Sequence, residues 1–116
     1  MSKVYGMHMI QPLPGVKAED FEKYTIEAIS RLPKMTGWET YLLKGERGDR
    51  EGKYLLMTEI ESVEARDRSI TASGEPVEGP QYDEMVAAHA IIAEWATVAS
   101  PMGPIGIFTD YVVVGK

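Results

Sequence analysis

The order of strand-like and helix-like patterns along the chain is the strongest constraint on its fold. Four segments have the β-branched and aromatic character of strands, namely 3–10, 38–44, 52–60 and 107–114. Segments 18–32 and 81–99 are typical of helices, and 62–68 is typical of a short helix with Ser62 as its N-cap. The resulting β-α-β-β-α-β order predicts a ferredoxin-like α+β fold, in which both long helices cover one face of a four-stranded antiparallel sheet.

Apolar residues occupy both alternating faces of these strands. In the third strand, Leu55 and Met57 share one face, while Tyr54, Leu56 and Ile60 share the other. In the last strand, apolar residues likewise occupy both faces. The sheet face that no helix covers would form a large exposed apolar patch on a monomer. We therefore predict a homodimer in which two sheets pack face to face about a two-fold axis.

Composition narrows the classes of function. The 116 residues predict a single domain over 1–116. The absence of cysteine excludes disulfides, a thiolate nucleophile and cysteine-ligated metals. A net charge of −6 without a basic cluster disfavours nucleic-acid and anionic-membrane partners. Since no apolar run approaches the ~20 residues of a membrane span and no signal-peptide pattern is visible, we expect a cytoplasmic protein.

Several local segments together resemble a known superfamily. The first strand leads through 14–21 into the first helix, Gly37 and Trp38 open the second strand, and 54–65 is a strand followed by a short helix. The last helix carries Met85-Val-Ala-Ala-His89. These pieces resemble the dimeric α+β barrel superfamily, and within it the antibiotic-biosynthesis-monooxygenase-like group, which includes haem-degrading monooxygenases. The resemblance implies a ligand pocket between the helices and the sheet of each protomer.

The haem-degrading relatives build their site from an asparagine, a tryptophan and a haem-ligating histidine. Carried over by position, the histidine falls on His89, whereas the asparagine position is occupied by His8. The tryptophan position falls near Arg68 or Ser69, so the tryptophan is missing. We therefore expect no bound organic cofactor and no metal, with haem held by His89 as an alternative.

The two histidines are the candidate catalytic residues. Histidine transfers protons near neutral pH and ligates haem iron. His8 lies mid-strand on the same face as Gly6, whose missing side chain would leave room for a ligand. We predict that His8 and His89 face one shared cleft. The alternative is that each is a hydrogen-bonded structural histidine.

The function predicted from these features is that of a small-ligand protein of the monooxygenase-like type. Its pocket would take an apolar or aromatic ligand, and the candidate substrate-binding residues are Tyr24, Tyr82, Met85 and Trp95. A catalytic version would deprotonate and position a phenol-like substrate that itself reacts with O₂. A non-catalytic, stress-related or ligand-carrying dimer is the alternative. The loop 71–80, with two prolines and two glycines, is predicted to be a mobile lid over the cleft.

Overall fold

The computed structural model describes residues 2–98 and 108–115. Its elements are β1 (Val4–Ile10), α1 (Ala18–Arg31), β2 (Trp38–Lys44), β3 (Tyr54–Ile60), α2 (Val63–Ser69), α3 (Tyr82–Val98) and β4 (Phe108–Val112). The four strands form one antiparallel sheet in the order β2-β3-β1-β4. This is the ferredoxin-like order, and the predicted α+β fold class is confirmed.

The predicted elements match the observed ones with small shifts at their ends. Strand β3 begins at Tyr54 rather than at residue 52, because Gly52 has a positive φ of 79° and belongs to the hairpin turn. Ser62 caps α2 as predicted, since its hydroxyl accepts a hydrogen bond from Ala65 N at 3.0 Å. The predicted ends of the last helix at 99 and of the last strand at 107 lie outside the described residues.

Cross-strand register divides the helix-covered face of the sheet into rows. One row is apolar and joins Trp38, Ile60, Val4 and Val112. The next row joins Thr40, Thr58, Gly6 and Asp110. The third joins Leu42, Leu56, His8 and Phe108. A row of small and polar residues therefore crosses all four strands between two largely apolar rows.

Two separate apolar clusters pack against this face. The larger one contains Phe21 and Trp95 from the helices and Tyr54 and Leu56 from β3, all less than 9% exposed. The smaller one contains Val4, Ile60 and Ala65. Burial of these side chains supplies most of the driving force for the fold, at about 1.5–3 kcal/mol for each large one.

The opposite face of the sheet is largely apolar, although Glu39 and Glu59 lie side by side on it, and none of the described helices covers it. The register places Met7 of β1 beside Met57 of β3, which in turn lies beside Tyr41 of β2. Around these three, Met9 is 41% exposed and Tyr111 is 55% exposed. We call this surface the open face. It corresponds to the second apolar set that the sequence predicts.

The segment 71–80 contains a compact hydrogen-bonded turn. Thr71 N donates to Glu75 O at 2.8 Å, and Gly74 N donates to Thr71 O at 2.9 Å. Val77 N donates to Ser69 O at 2.9 Å, which ties the segment to the end of α2. The predicted mobility and lid role of this segment stay predictions.

No helix in the described part of the chain is long and apolar enough to cross a membrane.

Candidate functional site

The polar row across the helix-covered face is the most unusual feature of the sheet. It consists of Thr40, Thr58, Gly6 and Asp110. The Thr40 and Thr58 hydroxyl oxygens lie 3.5 Å apart. Three of its four residues carry polar side chains, and polar groups under helices cost free energy unless they are paired.

Arg66 of α2 reaches the end of this row. Its Nη1 donates to Asp110 Oδ2 at 2.9 Å, and its Nε donates to Asp67 Oδ1 at 3.1 Å. The Arg66 and Asp110 side chains are 23% and 20% exposed, so their ion pair is largely shielded from water. Burial lowers the pKa of Arg66, but the hydrogen bonds to Asp67 and Asp110 outweigh it, so the pKa is raised. The pair therefore joins α2 to β4.

His8 lies in the row next to Asp110, on the helix-covered face, and is half-buried. Burial lowers the pKa of His8 below its ordinary 6.5, and the negative charge of Asp110 partly opposes this shift. Burial thus favours the neutral imidazole, the form that can accept a proton. His8 and Gly6 lie on the same face of the sheet, and a ligand on that face stays a prediction.

His89 occupies an exposed position on α3. The buried side of that helix is marked by Met85 and Trp95, which are 4% and 2% exposed. The shared cleft of His8 and His89 stays a prediction. The haem alternative through His89 likewise stays a prediction.

The four predicted ligand-binding residues are dispersed. Met85 and Trp95 are buried, whereas Tyr24 and Tyr82 are 43% and 39% exposed. Tyr24 and Trp95 line one hollow of about 120 Å³ between α1 and α3. Arg31 and Glu94 also line it and form an ion pair at 3.7 Å. The structure thus brings Tyr24 and Trp95 together in one hollow, and no residue of the polar row lines that hollow.

Two side-chain polar atoms are buried without a hydrogen-bond partner in the part of the chain that the structure describes. They are the indole nitrogen Nε1 of Trp38 and the carboxylate oxygen Oε2 of Glu84. Trp38 packs against the smaller cluster, in the row beside Thr40. Such atoms are rare in folded proteins and are satisfied when a ligand or water occupies the adjacent space.

Sequence reasoning missed Arg66, Thr40 and Thr58 as members of the site. The two threonines belong to neighbouring strands of a hairpin, so their pairing follows once the turn is placed. Arg66 and Asp110 are 44 positions apart, and their contact has no local pattern.

Within residues 2–98 and 108–115, no group of three or more His, Asp and Glu side chains is arranged to hold a metal ion.

Comparison with known proteins adds little to this geometry. No family model matches the chain, and no curated protein matches it. Among solved structures it is similar to a dimeric protein of unknown function with a ferredoxin-like fold from Bacteroides fragilis NCTC 9343. The identity is 18% and the TM-score 0.46, over 96% of this chain and 92% of that one. The fold assignment rests on the strand order and register of this chain.

Proposed function

We propose that this protein binds a small hydroxylated aromatic molecule against the polar row and oxidises it with O₂ in the manner of cofactor-independent monooxygenases. The observation that carries the proposal is the placement of His8 and Asp110 in neighbouring rows of the helix-covered face, with Arg66 of α2 paired to Asp110. An aromatic ring would lie on the flanking apolar rows, and its hydroxyl groups would meet the polar row.

The proposed chemistry begins with a proton transfer to His8. The neutral imidazole takes a proton from an acidic phenol or from a methylene flanked by phenolic rings, and the substrate becomes an electron-rich anion. The positive charge that develops on His8 is stabilised by the carboxylate of Asp110. The anion supplies the electrons for O₂ reduction. A methylene then becomes a carbonyl, with one oxygen atom in the product and the other released as water.

The threonine hydroxyls and the indole of Trp38 would orient the substrate. Thr40 and Thr58 can donate or accept hydrogen bonds along the row. The buried N–H of Trp38, without a hydrogen-bond partner among the described residues, would donate to a substrate oxygen.

The functional unit is proposed to be a homodimer formed through the open face. Met7, Met57 and Tyr41 lie at its centre, and the exposed Met9 and Tyr111 extend it. A patch of this kind is unfavourable in water and is removed when a second copy packs against it.

The test is turnover of hydroxyanthrone-type substrates under ¹⁸O₂, with oxygen uptake followed by electrode and products by mass spectrometry. The wild type is expected to place one ¹⁸O atom in the product. His8→Gln is expected to lower kcat by about 10²–10⁴-fold, while His89→Gln, which changes an exposed histidine, is the matched control.

Three outcomes would decide against parts of the proposal. Unchanged turnover in His8→Gln would overturn the role of His8. Binding without oxygen uptake would identify a ligand-carrying protein. A Soret band on haem titration that is lost in His89→Ala would establish the haem alternative.

A further inference from the structure

A second hollow lies beside α2. It is an open hollow of about 280 Å³ between the end of β3, helix α2 and the start of α3. The polar residues that line it are Thr36, Glu61, Arg68, Ser69 and Gln81, of which Thr36, Glu61 and Arg68 are exposed. We call it the α2–α3 hollow. None of its residues belongs to the polar row.

Gln81 presents its amide N–H groups to this hollow. The Ser69 hydroxyl donates to Gln81 Oε1 at 2.7 Å, so the amide oxygen is occupied and the Nε2 hydrogens remain available to an occupant. Ser69 is 2% exposed, which makes this anchor rigid. The backbone of Ser69 is also hydrogen-bonded, because Val77 N donates to Ser69 O at 2.9 Å.

Glu61 lies against Gly37. The Glu61 backbone N–H donates to Gly37 O at 2.9 Å, and its side chain lies where a Cβ atom added at Gly37 would come within 2.6 Å of Glu61 Cδ. Gly37 also has a positive φ of 83°, a conformation that glycine adopts without strain. The missing side chain of Gly37 therefore leaves space for the Glu61 side chain beside the hollow.

Arg68 and Glu61 line the same hollow and do not pair. The described residues contain no ion pair for either side chain, although six ion pairs are formed elsewhere in them. The hollow is thus lined by a guanidinium, the side-chain amide of Gln81 and a carboxylate. An occupant with a carboxylate at one end and an ammonium at the other can form charge-assisted hydrogen bonds with both charged side chains.

We propose that the α2–α3 hollow is a binding site for a small zwitterion of the amino-acid class. Its carboxylate accepts hydrogen bonds from Arg68 and Gln81, and its ammonium group donates to Glu61. The site is separate from the polar row and from the aromatic ligand proposed for it. The affinity is expected to be about millimolar, because so few non-hydrogen atoms are bound.

The experiment titrates the ¹⁵N-labelled protein with L-alanine, β-alanine and 4-aminobutyrate, and follows the side-chain amide signals of Gln81. At least one probe is expected to saturate and shift these signals. Acetate and methylamine, which carry one charged end each, are expected to bind about tenfold more weakly.

Two variants test which side chain binds each charged end of the zwitterion. Arg68→Gln and Glu61→Gln are each expected to weaken binding about tenfold, since each removes one charge-assisted hydrogen bond. Arg47→Gln and Glu46→Gln are the matched controls, because these residues form an exposed ion pair at the hairpin tip, outside the hollow. Chemical-shift dispersion of each variant verifies folding.

Three results would overturn the site. They are the absence of saturation by all three probes, equal affinity in Arg68→Gln and wild type, and tighter binding of acetate than of every zwitterion. His8→Gln is expected to leave this titration unchanged, so failure of the monooxygenase proposal and failure of this one are distinguishable.

Discussion

The indole Nε1 of Trp95 donates to Thr25 Oγ1 at 2.9 Å, and this hydrogen bond joins α3 to α1 inside the larger apolar cluster. The Thr25 hydroxyl in turn donates to Phe21 O at 2.7 Å. Both side chains are almost fully buried, at 1% and 2% exposure. The two helices therefore meet through a satisfied polar contact as well as through apolar packing.

Replacing Thr25 by Val tests this contact. The variant keeps the side-chain shape and leaves the Trp95 N–H buried without its acceptor, which is expected to lower the free energy of unfolding by about 1–3 kcal/mol. Urea denaturation followed by tryptophan fluorescence measures the change. In the double variant with Trp95→Phe, the two effects should be less than additive. Full additivity would show that the hydrogen bond contributes nothing.

The open face is tested by placing a charge at its centre. Wild-type protein is expected to have about twice the chain mass of 12.9 kDa in light scattering. Met57→Asp should give monomers or insoluble chain, because a charge buried between two sheets costs several kcal/mol. Ile26→Asp, at a position of α1 that is 58% exposed, is the control and should stay dimeric. A wild-type mass of one chain would contradict the proposed dimer.

The sheet was more predictable than the site. Val4, Gly6 and Ile10 alternate with Tyr5 and Met7, so the parity of β1 already assigns its two faces. In α3, by contrast, the stretch around His89 is apolar on nearly every side, and periodicity could not choose the buried stripe. The structure buries Met85 and Trp95 and exposes His89.

The site depended on contacts that the sequence pattern does not encode. Asp110 interrupts an apolar strand, but its partner Arg66 lies on a short helix 44 positions earlier. Only the strand order, with β1 between β3 and β4, brings them together. Local periodicity carries no information about such a pair.

Gly37 is expected to be more sensitive to substitution than Gly15. Both have a positive φ, 83° and 87°, so alanine strains the backbone at either position by roughly 1 kcal/mol. At Gly15 a Cβ atom would have nothing within 4 Å, whereas at Gly37 it would collide with the Glu61 side chain. The difference in unfolding free energy between Gly37→Ala and Gly15→Ala therefore measures the Glu61 contact. Equal losses would show that Glu61 moves aside freely.

His8 is expected to make stability depend on pH below neutrality. Its pKa is lowered in the folded protein, chiefly by burial, so the unfolded chain binds a proton first as the pH falls. Stability is unaffected by His8 above the unfolded pKa of about 6.5 and declines as the pH falls from there towards the folded value. Urea denaturation at several pH values measures this decline, which His8→Gln should reduce and His89→Gln should retain. A wild-type slope in His8→Gln would contradict the burial of an ionisable imidazole.

The ion pair between Arg66 and Asp110 is expected to stabilise the folded protein, because two opposite charges that are largely shielded from water attract each other. Arg66→Met leaves Asp110 without its counter-charge, and Asp110→Asn leaves Arg66 paired with Asp67 alone, so each should cost about 1–3 kcal/mol. The double variant should be more stable than the sum of the two single losses predicts, since neither charge remains.

Arg47→Met breaks an exposed ion pair at the hairpin tip and should change the unfolding free energy by less than about 0.5 kcal/mol. A double-mutant cycle by chemical denaturation gives the coupling energy directly. A coupling near zero would mean that α2 is held over the polar row by the packing of Ala65 alone, and that Arg66 is free to meet a ligand.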